Sequence, residues 1–171
     1  MKVLLLNQFF HPDLSATAQM ASDLAEDLVA SGIEVTALAG RGSYLGGGKL
    51  PSSETWRGVE IRRLAATSFG KATLARRGLD YASFLTVAAL AALGLPRHDV
   101  VVALTTPPLI AAAGLLVRAF RGTKLVYWVQ DLYPDVALAF GALDPGSAGT
   151  RAMRLVSRLV LSKADRVVVL G

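Results

Sequence analysis

Six short runs rich in Val, Leu or Ile and free of Pro recur along the chain, at residues 2–6, 34–39, 59–64, 99–104, 124–129 and 166–170. Helical stretches lie between most of them, at 17–31, 75–93, 109–121 and 150–163. A strand that returns parallel to its predecessor needs a long crossover, usually a helix, so this alternation predicts βαβ units around a parallel sheet of about six strands. Such a sheet is buried on both faces. The composition agrees, with 53% apolar residues, 18% charged residues and a mean hydropathy of +0.46. For 171 residues the expectation is one doubly wound, mainly parallel α/β domain spanning 1–171 and folded around one core.

The first helical stretch has the clearest period, with Met20, Leu24 and Leu28 on one face and Asp23, Glu26 and Asp27 away from it. Ser15 or Thr17 is suited to cap its start, and Gly32 to follow its end. One long connection, 40–56, holds Gly40, Gly42, Gly46, Gly47, Gly48 and Pro51 and reads as an irregular loop, functional or mobile. The final run, Arg166-Val167-Val168-Val169-Leu170-Gly171, reads as a buried strand. A chain that stops there is expected to be a fragment of a longer one.

With no cysteine, a disulfide framework, a thiolate nucleophile and a Cys-ligated metal site are excluded. Polar Asn7 and Gln8 interrupt the apolar start before a secretory segment is complete. The apolar stretches 84–95 and 109–117 fall short of the roughly 20 residues of a spanning helix. The formal charge of +5 is uneven: between 57 and 77, Arg57, Arg62, Arg63, Lys71, Arg76 and Arg77 stand against Glu60, whereas Asp13, Asp23, Glu26, Asp27 and Glu34 make the first helical region acidic. The basic segment reads either as a solvated surface or as a contact for an anionic membrane or a phosphate-bearing acceptor. Nucleic acid is not expected, because no aromatic residues interleave with these arginines. Stretch 75–93 carries Phe84, Leu85, Val87, Leu90 and Leu93 with almost no charge after Asp80. Beside the basic segment it suits an anionic bilayer surface, the alternative being a helix buried in the core.

In an open α/β sheet the ligand crevice lies outside the carboxyl ends of the strands, so the residues after each strand are the candidates. After the first run, Gln8, Pro12, Asp13, Ser15, Ala16 and Thr17 lead into a helix start, whose N–H groups suit phosphate or carboxylate. A capped turn is the plain alternative. His11 lies on this side and is a candidate proton donor or acceptor, while His98 precedes a strand at the opposite end and reads as surface filler. No G-x-G-x-x-G is present here, which argues against an NAD or FAD domain. Gly48-Lys49 is followed by Leu50, with Ser43 five residues before Gly48, which fails the phosphate-loop pattern. Arg41, directly after the second run, is a further substrate-binding candidate. The fourth run leads into Thr105-Thr106-Pro107-Pro108, where the prolines end the strand and open a helix, leaving Thr105, Thr106 and Pro107 at the crevice. The fifth leads into Gln130-Asp131-Leu132-Tyr133-Pro134-Asp135, which sets an amide, a carboxylate and a phenol at the mouth of a central strand. Asp131 could equally serve as a helix cap.

Three linked segments, Leu6-Asn7-Gln8-Phe9-Phe10-His11-Pro12-Asp13-Leu14-Ser15-Ala16-Thr17 with Leu24-Ala25-Glu26-Asp27-Leu28, then Thr105-Thr106-Pro107-Pro108-Leu109, then Gln130-Asp131-Leu132-Tyr133-Pro134-Asp135, together resemble family 4 glycosyltransferases. The resemblance spans essentially the whole chain and is closest to the WbuB/WcaI-like enzymes of O-antigen, capsule and exopolysaccharide synthesis. It implies the N-terminal, acceptor-side half of a GT-B fold, in which two Rossmann-like domains face each other across a cleft. It further implies a retaining, metal-independent hexosyl or N-acetylhexosaminyl transferase with a nucleotide-sugar as donor substrate and no cofactor. The acceptor would be a lipid-diphosphate or a saccharide, and the enzyme would act in the cytoplasm or peripherally on the inner face of the cytoplasmic membrane. In the family a C-terminal domain with a pair of glutamates in an E-x7-E arrangement binds the nucleotide, and nothing here matches it. The chain alone is therefore expected to be inactive. Relatives carry glycines in the first loop, where this chain has Pro12-Asp13-Leu14-Ser15, and His-Asp after the fifth strand, where it has Gln130-Asp131. Gln130 can bond a sugar hydroxyl, Asp131 is expected to orient the donor sugar or the acceptor hydroxyl, and no general base is assigned. The alternative function is a naturally separate acceptor-recognition subunit that docks a donor-binding protein.

Overall fold

A computed structural model describes residues 1–43, 48–67, 69 and 73–170, without the side chains of residues 74 and 75. Gly46, Gly47, Lys71 and Gly171, named above, lie outside the described residues. In chain order the elements are β1 (Lys2–Leu6), α1 (Ala16–Ala30), β2 (Glu34–Gly40), β3 (Ser53–Trp56), β4 (Val59–Leu64), α2 (Leu74–Gly94), β5 (Val100–Ala103), α3 (Ala111–Arg121), β6 (Lys124–Val129), α4 (Asp135–Ala139), α5 (Ala148–Lys163) and β7 (Arg166–Val169). The sheet runs β3-β4-β2-β1-β5-β6-β7 and is parallel except for β3, which pairs antiparallel with β4. β1 is central and covered on both faces, and Leu4, Leu5 and Leu6 are at most 1% exposed.

The expected six strands become seven because β3 forms within the stretch 40–56, read above as wholly irregular. Its sequence, Ser53-Glu54-Thr55-Trp56, has no Val, Leu or Ile to announce it. Pairing is imposed instead by a two-residue hairpin turn, with positive φ at both Arg57 (47°) and Gly58 (82°).

Ser15 caps α1, its hydroxyl accepting from the Ala18 N–H. The buried side of this helix is Ala18, Ala21, Ser22 and Ala25. Met20, Leu24 and Leu28, expected to face the core, are only half-buried. Small side chains let the helix lie close over β1 and β2, and the larger ones are turned aside. Leu24 and Leu28 instead border an apolar groove on the sheet with Val100, Val102, Val126 and Trp128.

α2, α3 and α5 line the other face, where Phe84, Ala88, Val117 and Val160 pack on Leu4, Leu6, Val101 and Leu125. In the apolar stretch 75–93, Phe84, Ala88, Ala89 and Ala92 are thus core, and Leu79 and Leu90 are exposed large apolar side chains. α3 starts two residues later than expected, at Ala111, because Leu109 adopts a left-handed conformation (φ 66°). It sits tightly on the sheet at Gly114, where an added Cβ would lie 2.7 Å from Leu125 Cδ1 and 3.4 Å from Val101 Cγ1. No described helix is long and apolar enough to cross a membrane.

The entry to β7 is held by Asp165. Its backbone N–H donates to the Leu125 carbonyl (2.8 Å), and its carboxylate accepts from the Leu125 N–H (2.8 Å) and from Arg118 Nε (2.8 Å) and Nη2 (3.3 Å). The Arg118 hydrogen bond first, then the Leu125 N–H, hold this carboxyl at a pKa of about 2. The stabilisation is complete above the unfolded carboxyl's pKa of about 4 and is lost as pH falls towards about 2. Asp165→Asn should therefore lower stability at neutral pH and flatten its fall over that acid range, as measured by urea unfolding at a series of pH values. Gly114→Val should cost about 1–3 kcal/mol in the same measurement, since the added methyls have no space against β6.

Candidate functional site

The chain leaves β1 through α1 towards β2, and leaves β5 through α3 towards β6 on the opposite face, so the connections diverge between β1 and β5. That divergence opens a crevice at the carboxyl ends of the strands. The ladder first continues past the strands: Leu104 N–H donates to the Leu6 carbonyl (3.1 Å), Gln8 N–H to the Thr106 carbonyl (2.7 Å) and Gly40 N–H to the Gln8 carbonyl (2.7 Å). A Cβ on Gly40 would stand 3.1 Å from that Gln8 oxygen, so the first loop passes close over the end of β2.

The segment after β5 touches the start of α1 there, and Gln130, after β6, reaches further along α1. Thr106 Oγ1 lies 3.5 Å from Thr17 Oγ1, which lies 3.5 Å from Ser15 Oγ, and Gln130 Nε2 reaches Met20 Sδ at 3.3 Å. The mouth also collects buried polar atoms with no hydrogen-bond partner among the described residues: Asn7 Oδ1, Gln8 Oε1, Thr105 Oγ1, Gln130 Oε1 and the Trp128 indole N–H. Asn7 is oriented by its own amide, whose Nδ2 donates to the Phe9 carbonyl (2.7 Å), leaving the oxygen free. Each buried polar atom left without a partner costs about 1–3 kcal/mol, and their gathering at adjoining strand ends makes this the candidate site. Asn7 and Trp128 were not candidates from sequence. Asn7 stands where an apolar strand turns polar, a usable signal, but Trp128 looks like any strand aromatic.

Some candidates serve the loop itself. Asp13 is buried and accepts from Ser43 Oγ (2.7 Å), His11 N–H donates to Ser22 Oγ (3.2 Å), and Arg41 Nε donates to the Leu50 carbonyl (3.0 Å). Pro12 and Ala16 are exposed, and Pro107 is buried. The His11 ring stacks on Trp56 with centroids 4.2 Å apart, and burial pushes its pKa below the ordinary imidazole range, although Glu54 opposes this. His11 is therefore neutral at pH 7 and offers one donor and one acceptor nitrogen. Asp131 is exposed at the rim and Tyr133 half-buried beside it. Burial, and then the Asp131 carboxylate, push the Tyr133 phenol upward, so it stays protonated as a hydrogen-bond donor.

Of the six basic residues of the segment 57–77, three have acidic partners: Arg57 pairs with Glu26, Arg62 with Glu60 (2.7 Å) and Arg63 with Glu54 (2.5 Å). Arg63, moreover, is fully buried and also donates to the carbonyls of His11 (2.5 Å) and Pro51 (3.4 Å), which ties the first loop to β3. His98 is not surface filler but buried, with Nε2 3.3 Å from Thr36 Oγ1 and its carbonyl accepting from Thr123 Oγ1 (3.0 Å). Among the described residues no group of three His, Cys, Asp or Glu is arranged to hold a metal ion.

A Rossmann-like, doubly wound α/β sheet with a polar mouth at its switch point is the class this fold and site define. The chain belongs to the glycosyl transferase 4-like domain family, which matches residues 15–171. It is 36% identical over 75 residues to the probable glycosyltransferase WbjE of Pseudomonas aeruginosa, a match covering 44% of this chain and 19% of that protein. Its fold is similar to that of sucrose-phosphate synthase from Thermosynechococcus elongatus, with a TM-score of 0.69 and 14% identity over 98% of this chain and 41% of the other. A second sucrose-phosphate synthase structure from that organism gives a TM-score of 0.62 at 14% identity, over all of this chain and 77% of the other. The chain thus spans about a fifth of one relative and two fifths of another.

Thr105→Val removes a buried hydroxyl that bonds nothing in the protein. It should leave stability unchanged or raise it by up to about 1 kcal/mol in urea unfolding, and a comparable loss would mean that the hydroxyl is bonded within the fold.

Proposed function

We propose that this chain is the acceptor-side domain of a retaining glycosyltransferase that moves a sugar from a nucleotide-sugar to a lipid-linked or saccharide acceptor in surface polysaccharide synthesis. The observation that carries the reading is the set of buried atoms at the crevice. Three of them, on Asn7, Gln8 and Gln130, are amide oxygens that only accept hydrogen bonds. Sugar hydroxyls supply donors for them, whereas a phosphate supplies further acceptors. Thr105 Oγ1 can serve either way, and the Trp128 N–H donates to a ring or hydroxyl oxygen.

In this reading Asn7, Gln8, Thr105 and Gln130 hold a sugar ring by its hydroxyls, and Tyr133 donates from the rim. Asp131 accepts from the reacting hydroxyl and orients it. The positive end of α1, with Ser15, Ala16 and Thr17, is the part suited to the donor diphosphate. Gln130 carries no titratable proton, and in the scheme that the family resemblance implies the departing diphosphate deprotonates the acceptor, with no protein base and no metal.

Because the chain spans only part of its relatives, most nucleotide contacts are assigned to a second domain. In isothermal titration calorimetry the chain alone should bind free UDP or GDP weakly, and it should transfer no sugar from either type of donor. Micromolar affinity for either nucleotide would overturn the assignment. Assaying the complete enzyme with UDP- and GDP-sugars and lipid-diphosphate acceptors identifies the donor. There Gln130→Leu should lower kcat/KM about fivefold to tenfold through the loss of one hydrogen bond.

A further inference from the structure

We infer that Arg63 is a positioning residue for the crevice: it acts through the His11 carbonyl, and with it the β3–β4 hairpin braces the first loop and α1 as one unit. The loop is gripped from the hairpin side at three points. Arg63 Nη2 donates to the His11 carbonyl (2.5 Å), the Trp56 ring stacks on the His11 ring (centroids 4.2 Å apart, planes at 16°), and the same indole meets Phe10 edge-on at 6.3 Å. The hairpin reaches α1 as well. Arg57, in its turn, pairs with Glu26, and Gly58 sits so close to the helix that an added Cβ would stand 2.8 Å from Val29 Cγ1. One element thus holds both the loop that enters α1 and the last turns of α1 itself.

Arg63 is the point where this brace is fixed. Its side chain is fully buried, and its acceptors lie on separate segments: the His11 carbonyl in the first loop, the Glu54 carboxylate on β3 (2.5 Å) and the Pro51 carbonyl before β3 (3.4 Å). Its own N–H donates to the Ser52 carbonyl (2.7 Å). A guanidinium is a planar fork whose donors point in set directions, so it fixes how these segments stand to one another, where an apolar side chain would only fill the space. The loop held in this way carries Gln8 and leads to Ser15 at the start of α1. The effect of Arg63 on sugar transfer rests on the proposed function, whereas the bracing does not.

Hydrogen–deuterium exchange on the 171-residue chain tests the brace. In Arg63→Met/Glu54→Gln, which removes the bonds without leaving a buried charge, the amides of residues 8–14 should exchange about tenfold faster while those of β1 and β5 keep their wild-type rates. Trp56→Leu, which leaves Arg63 in place, should loosen the same amides. Arg62→Gln, at the exposed neighbour on β4, should loosen none. Arg63→Lys keeps the charge without the fork and should give an intermediate rate, and it serves as the test if circular dichroism shows the double variant unfolded. Unchanged exchange at 8–14 in the Arg63 variants would overturn the inference. Equal acceleration of 8–14, β1 and β5 would overturn it too, because Arg63 would then contribute only to global stability. In the complete enzyme Arg63→Lys should lower kcat about tenfold with KM for the nucleotide-sugar and the pH profile unchanged, and a raised KM at unaltered kcat would refute the positioning role. A wild-type enzyme that transfers no sugar would instead remove the proposed function and leave the exchange result standing.

Discussion

The pairing of β1 with β2 on one side and β5 on the other is the constraint from which the rest of this domain follows. A strand with parallel neighbours on both edges and helices over both faces has little access to water, and after exposed Lys2 the residues Val3 through Leu6 are all apolar and buried. Cover ends where the crossovers diverge, and there the first polar side chains, Asn7 and Gln8, appear. Fold and site are thus one arrangement. The order that buries β1 also leaves a concave mouth at its carboxyl end, lined by whatever follows β1, β5 and β6.

What keeps this mouth from being a slack set of loops is the way its first wall is held. Arg63 reaches through the interior to the His11 carbonyl and the Glu54 carboxylate, Trp56 stacks on the His11 ring, and Ser43 bonds Asp13. Taking a guanidinium out of water is costly unless its hydrogen bonds are made, and most of these are, although Arg63 Nε lacks a partner. The fixed loop in turn keeps the amide oxygens of Asn7 and Gln8 buried without partners. Buried polar atoms held in this way cost stability while they lack partners.

The two faces of the sheet solve the same packing problem differently. α1 approaches through Ala18, Ala21 and Ala25, with its larger apolar side chains set aside, whereas α3 approaches through Gly114 and the α2 layer fills with Phe84. The outward sides differ in charge, acidic on α1 and basic on α5. That asymmetry leaves the sheet indifferent but distinguishes one side of the molecule from the other in any electric field, including that of a membrane.

Local pattern determined a good deal of this protein. Val- and Leu-rich runs such as Lys2–Leu6 and Lys124–Val129 announce strands, because short runs of this kind between turn residues fit the interior of a covered sheet. The strand pattern placed Gln8, Thr105, Thr106 and Gln130 just past strand carboxyl ends, and Ser15 declared itself as a cap by its chemistry. Other features depended on partners distant in sequence. β3 exists because a turn at Arg57 and Gly58 brings a polar segment against β4. Arg63 is buried because Glu54 and the His11 carbonyl are there to receive it, and His98 because Thr36 and Thr123 surround it. Which side of α1 is the core was likewise a matter of how closely a helix can approach a sheet. Periodicity and end chemistry are properties of neighbouring residues and can be read from their order. The burial of a charge or an imidazole is a balance between desolvation and partners that only the folded chain brings within reach.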